Sequence, residues 1–149
     1  MSPTPSTEQN FMDTWMGHAP ALDSDLILRN LIYSPRFKVV AADATLLARE
    51  TGTVVLVYGG TAAVNVTLPA IAAAYPFVFD IVNGQDTNLT VTAAAADTAI
   101  TFNDLQADSL AWSTSSEKIG GAFKVYSDGV KLFVLARPAS IYQTLAITS

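Results

Sequence analysis

The chain has 149 residues, half of them hydrophobic and only 14 % charged, with no Cys, the single His18 and a formal net charge of −5. That length fits one domain able to bury roughly 70 % of its extended surface without a disulfide or metal staple, and the low charge excludes a disordered chain. The acidic balance, with no Lys/Arg cluster, argues against a nucleic-acid binder, and the scarcity of Cys and His removes thiol catalysis, Cys-based zinc sites and most His-based acid–base chemistry.

The opening Met1-Ser2-Pro3-Thr4-Pro5 carries no basic residue before Arg29, unlike a secretory signal, so export by that route is not expected. Residues 1–36 hold Pro3, Pro5, Pro20 and Pro35, four of the seven prolines, and sustain no strand pattern, which marks an N-terminal arm. Within it Ser6-Thr7-Glu8-Gln9 has capping-box spacing, Gly17 is a stop, and Phe11, Met12, Trp15 and Met16 share one side of a short amphipathic helix. A second helical turn from Ser24 would group Leu28, Leu31 and Ile32 before Pro35.

From Phe37 the period changes to two, and residues 37–149 are expected to form a β-domain. Thr53 to Tyr58, the Gly59-Gly60 turn and Val64 to Leu68 read as paired strands. Phe77 to Val82, the Asn83-Gly84 turn and Leu89 to Thr92 read as a second pair, and Ala99 to Phe102 as a short strand. Ala122 to Tyr126, Ser127-Asp128-Gly129 and Val130 to Leu135 make the clearest hairpin, because Asp-Gly tolerates positive φ, and Ile141 to Ile147 adds an edge strand. Ala70 to Ala74 reads as helix or loop, and no internal repeat is evident. The charge-free span between Glu50 and Asp80 is broken by Gly59, Gly60, Asn65, Pro69 and Pro76, so strands and turns are expected there rather than a membrane helix. Seven to nine short strands at about ten-residue spacing predict an all-β fold: an antiparallel β-sandwich or barrel, jelly-roll or tulip-like.

Candidate chemistry is sparse. Asn65-Val66-Thr67 and Asn88-Leu89-Thr90 are glycosylation triplets that read as ordinary strand residues without an export signal. Asp23-Ser24-Asp25 begins like a calcium loop but has Ser34 where the twelfth-position Glu belongs, and Asp86-Thr87-Asn88 reads as an Asx turn. Nothing in the spacing of the thirteen acids selects a catalytic pair, and neither a nucleophile elbow nor a phosphate-binding loop occurs. No catalytic, metal or cofactor residues are assigned. Two features invite a partner: the apolar arm residues Phe11, Met12, Trp15, Met16, Leu28 and Leu31, which would either fold back on this chain's own β-domain or dock onto another subunit, and the polar stretch Asn103 to Lys118 around Trp112, whose indole would sit in the core or in an interface.

Ala44-Thr45-Leu46-Leu47-Ala48 with Gly52, Val64-Asn65-Val66-Thr67-Leu68-Pro69, Phe77-Val78-Phe79 and Ile119-Gly120-Gly121-Ala122-Phe123-Lys124-Val125-Tyr126-Ser127-Asp128-Gly129 together resemble the small β-domain recurring in tailed-phage structural proteins. Capsid decoration, or cement, proteins carry it, as do some fibre domains. The similarity spans residues 43–137, departs from the frequent Trp-Tyr after the hairpin at Leu132-Phe133, and does not cover the arm. It implies a virion protein on the capsid surface, made in the host cytoplasm, that clamps neighbouring major capsid subunits as a homotrimer. A fibre or receptor-binding domain that uses Trp112 on carbohydrate is the alternative. No nucleic-acid or membrane partner is expected.

Overall fold

The structure, a computed structural model, describes residues 36–71, 75–113 and 117–149. The chain divides into Met1–Pro35 and Arg36–Ser149, and every described residue belongs to the second unit. The expectations for Ser6 to Gln9, Phe11, Met12, Trp15, Met16, Gly17, Asp23 to Asp25, Leu28, Leu31 and Ile32 therefore lie outside the described residues, as do residues 72–74 of the alanine segment.

Twelve strands are present among the described residues: β1 (Arg36–Val40), β2 (Ala44–Thr45), β3 (Thr53–Val57), β4 (Val64–Thr67), β5 (Phe77–Asn83), β6 (Leu89–Thr92), β7 (Ala99–Thr101), β8 (Asp104–Ala107), β9 (Ser109–Trp112), β10 (Ala122–Ser127), β11 (Leu132–Arg137) and β12 (Leu145–Thr148). A 3-10 turn, Ala48–Glu50, is the one helical element among them. The fold is all-β, as the period-two pattern predicts. No helix among the described residues is long and apolar enough to cross a membrane.

The strands form a seven-stranded sheet, ordered β1-β3-β5-β10-β11-β7-β8, and a five-stranded sheet, ordered β12-β9-β6-β4-β2. Both are mixed, which corrects the antiparallel expectation. β1, β3 and β5 run parallel in one sheet and β2, β4 and β6 run parallel in the other, because the chain crosses between the sheets after each of its first six strands. The glycine turns at Gly59-Gly60 and Asn83-Gly84 are consequently arches from one sheet to the other, not hairpins. Each circuit lies on the one before: Gly84 N donates to Val57 O at 2.7 Å, Tyr58 N to Val40 O at 3.1 Å, and Leu68 N to Thr92 O at 2.9 Å. The winding also exposes a recurrence that the eye passes over in the sequence, since Val64-Asn65-Val66-Thr67 pairs residue for residue with Leu89-Thr90-Val91-Thr92.

The hairpin from β10 to β11 forms as predicted. Asp128 Oδ1 accepts from Val130 N and Lys131 N, both at 2.8 Å, Ser127 Oγ accepts from Gly129 N, and Gly129 takes φ +90°. The C-terminal edge strand also forms, as β12 against β9. The stretch from Asn103 is not wholly irregular, however: it contains β8 and β9, while its residues 114–116 lie outside the described residues.

The inner faces supply the core. Phe77, Phe79, Ile81, Phe123 and Val125 from the larger sheet meet Leu89, Val91, Leu110 and Trp112 from the smaller, all 2 % exposed or less. Burying each large side chain is worth roughly 1.5–3 kcal/mol, so this layer is the main stabilising term.

Candidate functional site

Alternation places every second residue of the larger sheet outward, and the strand register sorts those residues into three rows. The first runs Val39, Leu56, Val82, Ala122, Arg137, and the second Phe37, Val54, Asp80, Lys124, Leu135. The third runs Val78, Tyr126, Phe133, Ile100. All but Asp80, Lys124 and Arg137 are apolar or aromatic. Phe37 is 62 % exposed, Leu135 47 %, and Val54, Leu56 and Val82 are half-buried. A sheet with one wet face ordinarily turns polar residues outward, whereas near-continuous apolar strands belong to sheets covered on both sides. A contiguous apolar surface of this kind marks an interaction site.

The two central charges are arranged to sit within that surface. Lys124 Nζ lies 3.0 Å from Asp80 Oδ2, each side chain about one-third exposed or less, and Nζ stands 5.8 Å from the centroid of the Tyr126 ring. Asp80 and Lys124 are direct register partners on β5 and β10, the two middle strands of the six that carry the rows. At the sheet edge Lys38 pairs with Glu50 at 2.9 Å. Slight burial works to raise the Glu50 pKa, but the Lys38 ammonium, the Leu47 N–H and the Arg49 charge together hold it below its ordinary 4.5.

An apolar cleft of about 410 Å³ adjoins the third row. It opens where β7 stops pairing with β11 after Phe133, so the walls combine Phe133 and Leu135 with Trp112 and Leu145 from the smaller sheet. Phe102, 82 % exposed, forms one lip.

Trp112 is 2 % exposed and belongs to the core. Its Nε1 donates to Ala122 O at 3.3 Å and its ring lies 5.5 Å from that of Phe123, centroid to centroid. Gly121 lies against the indole: a Cβ there would come within 2.8 Å of Trp112 Cδ1. The indole is thus a core residue that also forms part of the cleft wall. The other partner-binding candidates, Phe11, Met12, Trp15, Met16, Leu28 and Leu31, lie outside the described residues.

Two buried amides explain the Asn83 to Asn88 segment. Asn83 Nδ2 donates to Thr87 O and Lys118 O, and Gln85 bridges Gly60 N, Ala62 O and Thr87 Oγ1, which locks three loops at one end of the sandwich. Asn65 is a strand residue whose Oδ1 accepts from Thr92 Oγ1 at 2.7 Å. Among the described residues no group of three or more His, Cys, Asp or Glu side chains is placed to hold a metal ion.

Sequence reasoning missed the apolar outer face although a signal was present. Val54-Val55-Leu56-Val57 and Leu132-Phe133-Val134-Leu135-Ala136 are unbroken apolar runs, which signal strands covered on both sides rather than strands with a wet face. A scan of protein families and a search of curated proteins return no match for this chain.

Proposed function

We propose that the chain is a structural adhesion protein of a tailed-phage virion, which decorates the capsid and stabilises it by clamping neighbouring major capsid subunits. The observation that supports this reading is the outer face of the seven-stranded sheet, a broad apolar surface with a single paired charge couple at its centre. Such a surface suits the burial of another polypeptide better than the binding of a small polar substrate. The resemblance of residues 43–137 to phage structural β-domains supplies the virion context. The mechanism is thermodynamic: a protein that binds only the assembled, expanded shell stabilises that shell by mass action, and seating at many sites multiplies modest contacts.

Emptied, expanded phage heads incubated with the purified chain and pelleted provide the test. The expected result is saturable co-sedimentation and a higher shell melting temperature; chain left in the supernatant at every ratio would contradict it. With Trp112 in the core, the carbohydrate-binding alternative lacks its aromatic platform.

A further inference from the structure

We infer that the outer face of the seven-stranded sheet is where two copies of this chain pack face to face, about a two-fold axis that runs along the strands between β5 and β10. This rests on the reading of that face as a polypeptide-binding surface and names a second copy as the polypeptide it buries, so that the paired chains meet capsid subunits through surfaces other than this face.

Area is the first argument. Six strands carry the three outward rows, and at ~4.8 Å between strands and ~3.3 Å per residue the face measures roughly 29 by 18 Å, on the order of 500 Å² in projection. The accessible surface of a pleated, side-chain-covered face exceeds its projection, which brings it near the ~800 Å² per partner of a standard stable interface.

Charge is the second, and it also selects the orientation. Asp80 and Lys124 sit side by side at the centre of the face, in its two middle strands. A two-fold axis along the strands exchanges β5 with β10, so Lys124 of the second copy stands over Asp80 and its Asp80 over Lys124. Four charges then form a square of alternating sign, and each is desolvated only beside opposite charges. An axis across the strands would instead place Asp80 on Asp80 and Lys124 on Lys124, which like-charge repulsion forbids.

The same operation matches side chains by size. It sets β3 over β11, so the smaller Val54 faces the larger Leu135 and Leu56 faces Arg137, an exposed residue at the end of β11, and within the central strands Val78 faces Tyr126 while Val82 faces Ala122. Aligned sheets pack about 10 Å apart with a small rotation, the spacing such pairs fill. An unrelated partner would have no reason to meet this central couple with its mirror image, whereas a second copy does so by symmetry.

The test uses the full chain and three charge variants in sedimentation equilibrium, with thermal melts to confirm folding. Wild type is expected at twice 15.8 kDa. Asp80→Lys and Lys124→Asp alone are each expected to run as single chains, weakened by about a hundredfold or more because like charges then face each other. Mixed one to one, the two variants are expected to recover the two-chain mass, since a doubly positive centre meets a doubly negative one. Leu135→Glu, on the half-exposed apolar rim of the same face, is expected to run as a single chain with an unchanged melt. A wild-type mass of one or three chains, a mixture that stays apart, or a Leu135→Glu chain that remains paired would overturn the inference. None of these results depends on phage heads, so failure here is separable from failure of the decoration reading, which the co-sedimentation assay decides.

Discussion

The two sheets share one core but turn opposite characters outward. The smaller sheet presents Thr45, Thr67, Thr92, Ser109 and Thr148, which the register aligns into one row of hydroxyls across all five strands. The larger presents Phe37, Val54, Leu56, Tyr126, Phe133 and Leu135 around one ion pair. Hydroxyl rows satisfy the pleat and stay wet; apolar rows leave area that water solvates poorly. The inward contrast runs the other way, since the larger sheet buries Thr53, Asn83, Thr101 and Ser127 while the described strands of the smaller sheet bury no polar side chain; the demands of the core therefore do not account for the apolar outer face, which points to the larger sheet as the working face.

The largest disruption strikes beneath both faces together. Trp112→Ala removes the biggest fully buried side chain among the described residues, and chemical denaturation should show a loss of about 3–5 kcal/mol, abolishing either surface. Gly121→Ala pushes a methyl group into the same indole and should cost about 1–3 kcal/mol in the same experiment. On the smaller sheet, Asn65→Ala leaves the Thr92 hydroxyl without its acceptor, a loss near 1 kcal/mol that should appear in the denaturation midpoint and leave association untouched.

The smallest effect lies at the β1 edge. The folded-state pKa of Glu50 is lowered, so the pair with Lys38 stabilises the fold fully above the ordinary value of 4.5 and loses its contribution as pH falls through the depressed folded value. Glu50→Gln should therefore be less stable than wild type at pH 7 by about 0–1 kcal/mol, and the two melting curves should converge in acid.

Strands and their inward faces were legible because alternation encodes which side of a strand is buried. Val64 to Leu68, Phe77 to Val82 and the Asp128-Gly129 hairpin all fell where the pattern placed them. Pairing was not legible, for a physical reason: an amphipathic strand, a glycine turn and a second amphipathic strand bury the same residues whether the turn folds back within a sheet or arches across to the other. Gly59-Gly60 and Asn83-Gly84 look like hairpin turns and serve as arches. Trp112 was equally ambiguous, since Ser109 and Ala111, its outward neighbours on β9, carry no hydrophobic signal. The candidate surface was hidden by the habit of assigning every apolar residue to a core, though the unbroken run Val54 to Val57 contained more apolar side chains than one buried face can use.

The most direct measurement places one charge on each face and compares the results. Phe133→Lys on the larger sheet and Thr90→Lys on the smaller are made in the full chain, and mass and melting temperature are recorded side by side. Association should disappear in Phe133→Lys and persist in Thr90→Lys, with both chains melting close to wild type. Equal association in the two variants, or loss only in Thr90→Lys, would contradict the assignment of the larger sheet as the adhesive face.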